Sequence, residues 1–174
     1  MGCDVHMYVQ YRYKNSNYWS GFGGRINPGR NYAMFGILAG VRREFPESFE
    51  AKGLPTHELS YQCNGDLYLY ISDDGKEEGH TTLERALDWN KRYGCKFVND
   101  SNGKPMKVQH PDWHSHSWMN VKELSKAYRT YFKMVKKEYG TGSVPAEYKA
   151  VLDVMKSLEK NGDYITKVVF WFDN

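Results

Sequence analysis

The densest stretch of chemistry-bearing residues is Asp112-Trp113-His114-Ser115-His116-Ser117-Trp118, and three of the six histidines fall within residues 110–116. If this stretch is extended, Asp112, His114 and His116 share one face, because side chains alternate along a strand. Imidazole with carboxylate suits Zn, Mn, Fe or Ni better than Ca or Mg. A second Asp-x-His unit, Asp4-Val5-His6, opens the chain with both side chains opposite Cys3, Val5 and Met7. Together the two units supply more N and O donors than one ion needs, which leaves an open position or room for two ions. Read singly, each is as well explained by a polar loop or a solvated strand face.

Other acidic and basic residues carry further signals. Asp173 stands just past an apolar run, where an acid can face a cleft or simply end a strand. Gly29-Arg30-Asn31-Tyr32 joins an arginine to the start of a helix, a pairing that favours anions. Arg42 and Arg43 at the far end of that helix read as C-terminal capping. Lys122, Lys126, Arg129, Lys133 and Lys136/Lys137 form a basic stripe. It is a nucleic-acid groove or, more commonly, the solvated side of an amphipathic helix.

The elements that must position these residues are legible in the pattern. Residues 3–13 alternate with period two and predict a strand. Residues 15–30 read as loop. Asn31 caps a helix over Tyr32–Val41, apolar nearly all round, with Gly36 and Gly40 as a flat stripe for close packing. Residues 44–65 look irregular, and a strand follows over 67–71. Thr81 with Glu84 has capping-box spacing for a helix ending at Gly94. Cys95–Val98 reads as a short strand and Asn99–Pro105 as a turn. Asn120 with Glu123 caps a helix whose apolar residues recur at 121, 124, 128, 131, 135 and 139. Another helix starts near Pro145. Tyr164–Phe172 is β-rich and nearly all apolar, as a central strand would be. Strands bracketing helices predict an α+β fold: a mainly antiparallel sheet with helices on one face, the first and last strands adjacent.

The 174 residues suit a single domain over 1–174, and 40% hydrophobic content suits a core without staples. Three scattered cysteines (Cys3, Cys63, Cys95) without Cys-x-x-Cys indicate neither a zinc ribbon nor a disulfide framework. Mean hydropathy of −0.74 and the absence of a long apolar run predict no membrane span. Asp4 stands where a signal peptide needs positive charge, so a cytoplasmic location is expected. No phosphate-binding glycine loop, nucleophile elbow or His-Glu-x-x-His occurs. His80-Thr81-Thr82 matches half of a two-His-x-Thr phosphoesterase, and the other half is missing.

Gly2-Cys3-Asp4-Val5-His6, the stretch from Arg30-Asn31-Tyr32 to Leu38-Ala39-Gly40-Val41-Arg42, His114-Ser115-His116-Ser117-Trp118 and Val169-Phe170-Trp171-Phe172-Asp173-Asn174 together resemble small phage- and bacteria-encoded proteins that open MGCDIH, with Val5 for the isoleucine. The resemblance implies a phage-type origin, a host-cytoplasmic setting and a counter-defence role.

These readings converge on a metal-dependent hydrolase of a phosphodiester in a nucleotide or small nucleic acid. Asp4, His6, His114 and His116 are its expected ligands, to a divalent transition metal (Zn, Mn, Fe or Ni). Asp112 or Asp173 completes or orients the shell, and Arg30 neutralises transition-state charge. Two rivals are metal-free catalysis with His114 and His116 as acid and base, and a non-catalytic protein that sequesters a nucleotide signal or host protein.

Overall fold

The computed structural model describes residues 2–55 and 58–173. Two four-stranded sheets carry the fold. The first has the order β2 (Ser20–Gly21), β1 (Val5–Tyr13), β8 (Tyr164–Phe172), β7 (His114–Met119). The second has the order β4 (His80–Thr81), β3 (Tyr68–Ile71), β6 (Pro105–Gln109), β5 (Phe97–Asn99). Pairing is antiparallel except between β3 and β4. The α+β class and the adjacency of first and last strands are as the sequence predicts. β1 and β8 pair along their whole length, from Val5↔Phe172 to Tyr13↔Tyr164.

Alternation decides what each face of the first sheet meets. Val5, Met7 and Val9 point with Val168, Phe170 and Phe172 into a core closed by three helices. These are α1 (Tyr32–Ala39), α4 (Val121–Tyr139) and α5 (Ala146–Glu159). Full burial of side chains such as Phe170 and Phe172 contributes about 1.5–3 kcal/mol each. The opposite face presents Tyr8, Val169 and Trp171 to Cys63 and Leu67 of a short helix, α2 (Tyr61–Leu67). A third cluster joins Ala86 of α3 (Leu83–Tyr93) to Cys95, in the loop before β5, and to Val108 of β6. No helix among the described residues is long and apolar enough to cross a membrane.

Local signals mostly act as expected. Asn31 accepts from Met34 N–H at 2.9 Å, and Asn120 with Glu123 forms a complete capping box. Gly36 packs closely: a Cβ there would run into the Arg43 carbonyl oxygen and the Phe45 ring. Gly40 does a different job from the one its spacing suggests. It ends α1 in the left-handed region (φ 67°) with nothing near its missing side chain. The cap of α3 is Thr82, whose hydroxyl accepts from Arg85 N–H, and not Thr81, which is buried in β4 opposite Ile71. Segment 44–65, expected to be irregular, contains the start of α2. Ser60 caps it and Cys63 and Leu67 recur at helical spacing on its buried side.

Candidate functional site at the ends of the first sheet

The antiparallel register of β1 and β8 brings the start of one to the end of the other. Beyond the last pair, Asp173 N–H donates to the Asp4 carbonyl at 3.2 Å, and Asp4 N–H donates to Asp173 Oδ1 at 2.7 Å. Asp173 Oδ2 lies 2.9 Å from His6 Nε2, and Asn27 Oδ1 lies 3.1 Å from His6 Nδ1. The imidazole is only 8% exposed and sits against the rings of Trp113 and Trp171, at 5.9 and 6.1 Å. Asp173 accepts from Nε2–H. Asn27, in an exposed loop, either accepts from a protonated ring or turns its amide to donate to a neutral one.

Beside this pair, Arg30 grips Asp4 through two parallel bonds, Nε to Oδ1 at 2.6 Å and Nη2 to Oδ2 at 2.9 Å. Such a fork is a strong, planar arrangement. The Arg30 hydrogen bonds hold the Asp4 carboxyl below its ordinary range. Gly2 packs so tightly on the guanidinium that a Cβ would overlap Nη1. Burial pushes the Cys3 thiol up, against the opposing pull of the Arg42 guanidinium beside it. Arg42 has φ 63°, one of two non-glycine residues in the left-handed region among those described. The other is Ser115. Left-handed backbone at a residue with a Cβ costs on the order of 1–3 kcal/mol and clusters at functional sites. Here both instances flank the same sheet end.

Ser115 explains why the histidines do not line up as expected. The register of β7 on β8 passes from His114↔Phe172 to Ser117↔Phe170, three residues against two. One extra residue makes a bulge, and a bulge breaks alternation. His114 lies against Phe172 on the helix-covered face, with centroids 6.2 Å apart. His116 lies against Trp171 on the other, at 6.4 Å. Asp112 is exposed and precedes the strand; its N–H donates to His110 Nδ1 at 3.3 Å. The expectation of Asp112, His114 and His116 on one face is therefore corrected.

The two Asp-x-His units do not share an ion in this arrangement, since the Trp171 indole stands between His6 and His116. Among the described residues no three of His, Cys, Asp or Glu converge closely enough to hold one. Asp4, His6, Asp173 and Arg30 do come together, as a carboxylate–imidazole hydrogen bond beside an ion pair. Met1 and Asn174, at the two ends of the sequence, lie outside the described residues.

Both imidazoles of the bulge keep a buried Nε2 with no hydrogen-bond partner among the described residues; His114 Nδ1 meets Ser115 Oγ at 3.0 Å. Burial, with the neighbouring His114 and Lys96 charges, lowers the His116 pKa to about 4. His116 opens on a groove of about 780 Å³ running between the two sheets, lined also by Tyr68, Phe97, Lys96, Lys107 and Gln109.

Asn27 and Arg42 are site residues that the sequence does not announce, and it does not announce the stacking of the His110 ring on Trp113 at 4.5 Å. Asn27 carries no pattern signal. Arg42 reads as helix capping until its backbone conformation is seen. The chain matches no family model, no curated protein and no solved structure.

Proposed function

We propose that the protein is a hydrolase of a phosphodiester in a nucleotide or short nucleic acid, with the reaction at the paired ends of β1 and β8. The carrying observation is the meeting of Asp173–His6 and Asp4–Arg30 at one strand end. An imidazole oriented by a carboxylate is the unit of general acid–base catalysis, and a carboxylate-held guanidinium is a preorganised anion contact.

In this reading Asp4 fixes Arg30, whose Nη1 has no carboxylate partner, so that it receives the non-bridging phosphate oxygens together with Arg42. Asp173 orients His6 through Nε2. The exposed Asn27 amide gives way to substrate, and Nδ1 then serves the proton transfer. A water oxygen forms the new bond to phosphorus and the ester P–O bond breaks. One proton leaves the water, and one reaches the departing oxygen. Because His114 and His116 point to opposite faces, they are not the acid–base pair. A Zn, Mn, Fe or Ni ion is the alternative source of an activated water. Asp4, His6 and Asp173 would hold it only after Asp4 leaves Arg30 and the Asp173–His6 hydrogen bond opens.

The test is turnover of a panel of cyclic dinucleotides and short oligonucleotides, with chelator and with added Mn or Zn. Turnover that survives chelation supports the His6–Asp173 route, and turnover restored only by metal supports the metal route. A second reading is favoured by Asn27, which closes the one imidazole nitrogen that Asp173 leaves open: a binder that sequesters its ligand. No turnover, a raised melting temperature and intact ligand recovered after heating would replace hydrolysis with that reading.

A further inference from the structure

We infer that the groove between the two sheets is a mononucleotide-binding site, separate from the strand-end cluster. Its volume of about 780 Å³ falls in the range of small-molecule sites. Two ammonium groups, Lys96 and Lys107, line it, and neither has an acidic partner among the described residues. The described lining residues include no carboxylate, so the groove is unbalanced in favour of an anion. Lys107 Nζ lies 4.3 Å from the Tyr70 ring centroid, which holds it by cation–π attraction and leaves its N–H groups unspent on any carboxylate.

The remaining wall selects the rest of the ligand. Tyr68, on the same face of the second sheet as Lys107 and Gln109, offers a half-buried ring to a planar base. Gln109 Oε1 accepts from Lys96 N–H at 3.0 Å, which fixes the amide and turns its NH₂ outward as a donor. His116 adds a buried ring nitrogen that lacks a partner. A buried polar atom left without a partner costs about 1–3 kcal/mol, which a ligand hydrogen bond would recover. Phosphate on the lysines, a base on the Tyr68 ring and base-edge bonds to Gln109 and His116 use every one of these groups. The groove lies on the same sheet face as His6, with Trp171 between, so it fits the nucleoside half of the substrate proposed above. In that respect it rests on the proposed function.

The experiment titrates the full chain with AMP, adenosine and inorganic phosphate by calorimetry, and maps amide shifts by NMR. AMP is expected to bind, with adenosine and phosphate each at least ten-fold weaker. Shifts should centre on Lys96, Lys107 and His116. The double variant Lys96→Gln/Lys107→Gln, altered only at side chains that pair with no carboxylate among the described residues, should lose at least ten-fold in AMP affinity. Equal AMP affinity in that variant, phosphate binding as tightly as AMP, or shifts confined to the strand ends would overturn the inference. AMP held in the groove by a protein that hydrolyses nothing overturns the proposed function alone. Hydrolysis with unchanged AMP affinity in the double variant overturns the groove alone.

Discussion

His6 Nε2 and Asp173 Oδ2 lie 2.9 Å apart although 167 residues separate them along the chain. The other oxygen of the same carboxylate accepts from Asp4 N–H at 2.7 Å. One side chain thus locks the sheet end and the imidazole together.

Asp173→Asn should separate these roles. The amide can still accept from Asp4 N–H, so the fold should persist with a melting temperature lower by a few degrees. The imidazole loses its charged partner, and kcat on the substrate found in the panel should fall by about 100-fold or more. Steady-state kinetics beside thermal melts make the comparison. Wild-type kcat in a variant that melts normally would remove the pair from the mechanism.

His116 predicts a loss of stability on acidification. Its pKa drops from an ordinary 6.5 to about 4 on folding. Between these values the unfolded chain holds a proton that the folded chain does not, so stability rises with pH across about 4–6.5. The span amounts to ~3 kcal/mol at most. Urea unfolding at pH 7, 6, 5 and 4 should show the decline, and His116→Gln should flatten it. Asp4 acts in a separate window. Its carboxyl is depressed below 3.8, so its contribution persists through this range and is lost only at lower pH.

Lys167 and Glu58 should respond unequally to neutralisation. Lys167 is 2% exposed, with Nζ 2.6 Å from Glu58 Oε2 and 3.8 Å from the Trp19 centroid; the Glu58 side chain is half exposed. Glu58→Gln strands a buried ammonium, whereas Lys167→Met leaves an acid that water can solvate. Chemical denaturation should find the glutamate variant the less stable of the two. The reverse order would mean that the ammonium is not desolvated.

The two glycines of α1 should differ in what they tolerate. Gly36→Ala drives a methyl into the Arg43 carbonyl, an overpacking that costs about 1–3 kcal/mol. Gly40→Asn keeps a residue that accepts the left-handed region in open space, and should melt within a few degrees of wild type. Comparable losses in both variants would contradict the close approach at Gly36.

The two long strands were readable because each carries its own pattern, alternation in 3–13 and an apolar run in 164–172. Their adjacency follows from those faces, but the antiparallel direction, which puts Asp173 rather than Lys167 beside His6, does not. The split between His114 and His116 was hidden for a different reason. It depends on a bulge at Ser115, set by pairing with Phe170 and Phe172 far away in sequence, and no glycine marks the spot. Trp171 reads as core filler, and its place between two imidazoles appears only with register. The second sheet rests on strands as short as His80–Thr81, too brief for periodicity to show. The α2 helix is obscured by Gly65 inside it, with Ser60 its only boundary signal.

The ladder between β1 and β8 also sets a timetable for biosynthesis. Val5 leaves the ribosome 167 residues before its partner Phe172. At ~5–20 residues per second that interval is on the order of ten seconds or more. Throughout it the β1 edge that β8 takes stays unpaired and the helical cover is unfinished, and such edges are what chaperones and aggregation compete for. Closing so distant a contact also slows the search for the native state. Asp173 follows His6 by 167 residues, so the strand-end cluster cannot assemble before β8 has been made.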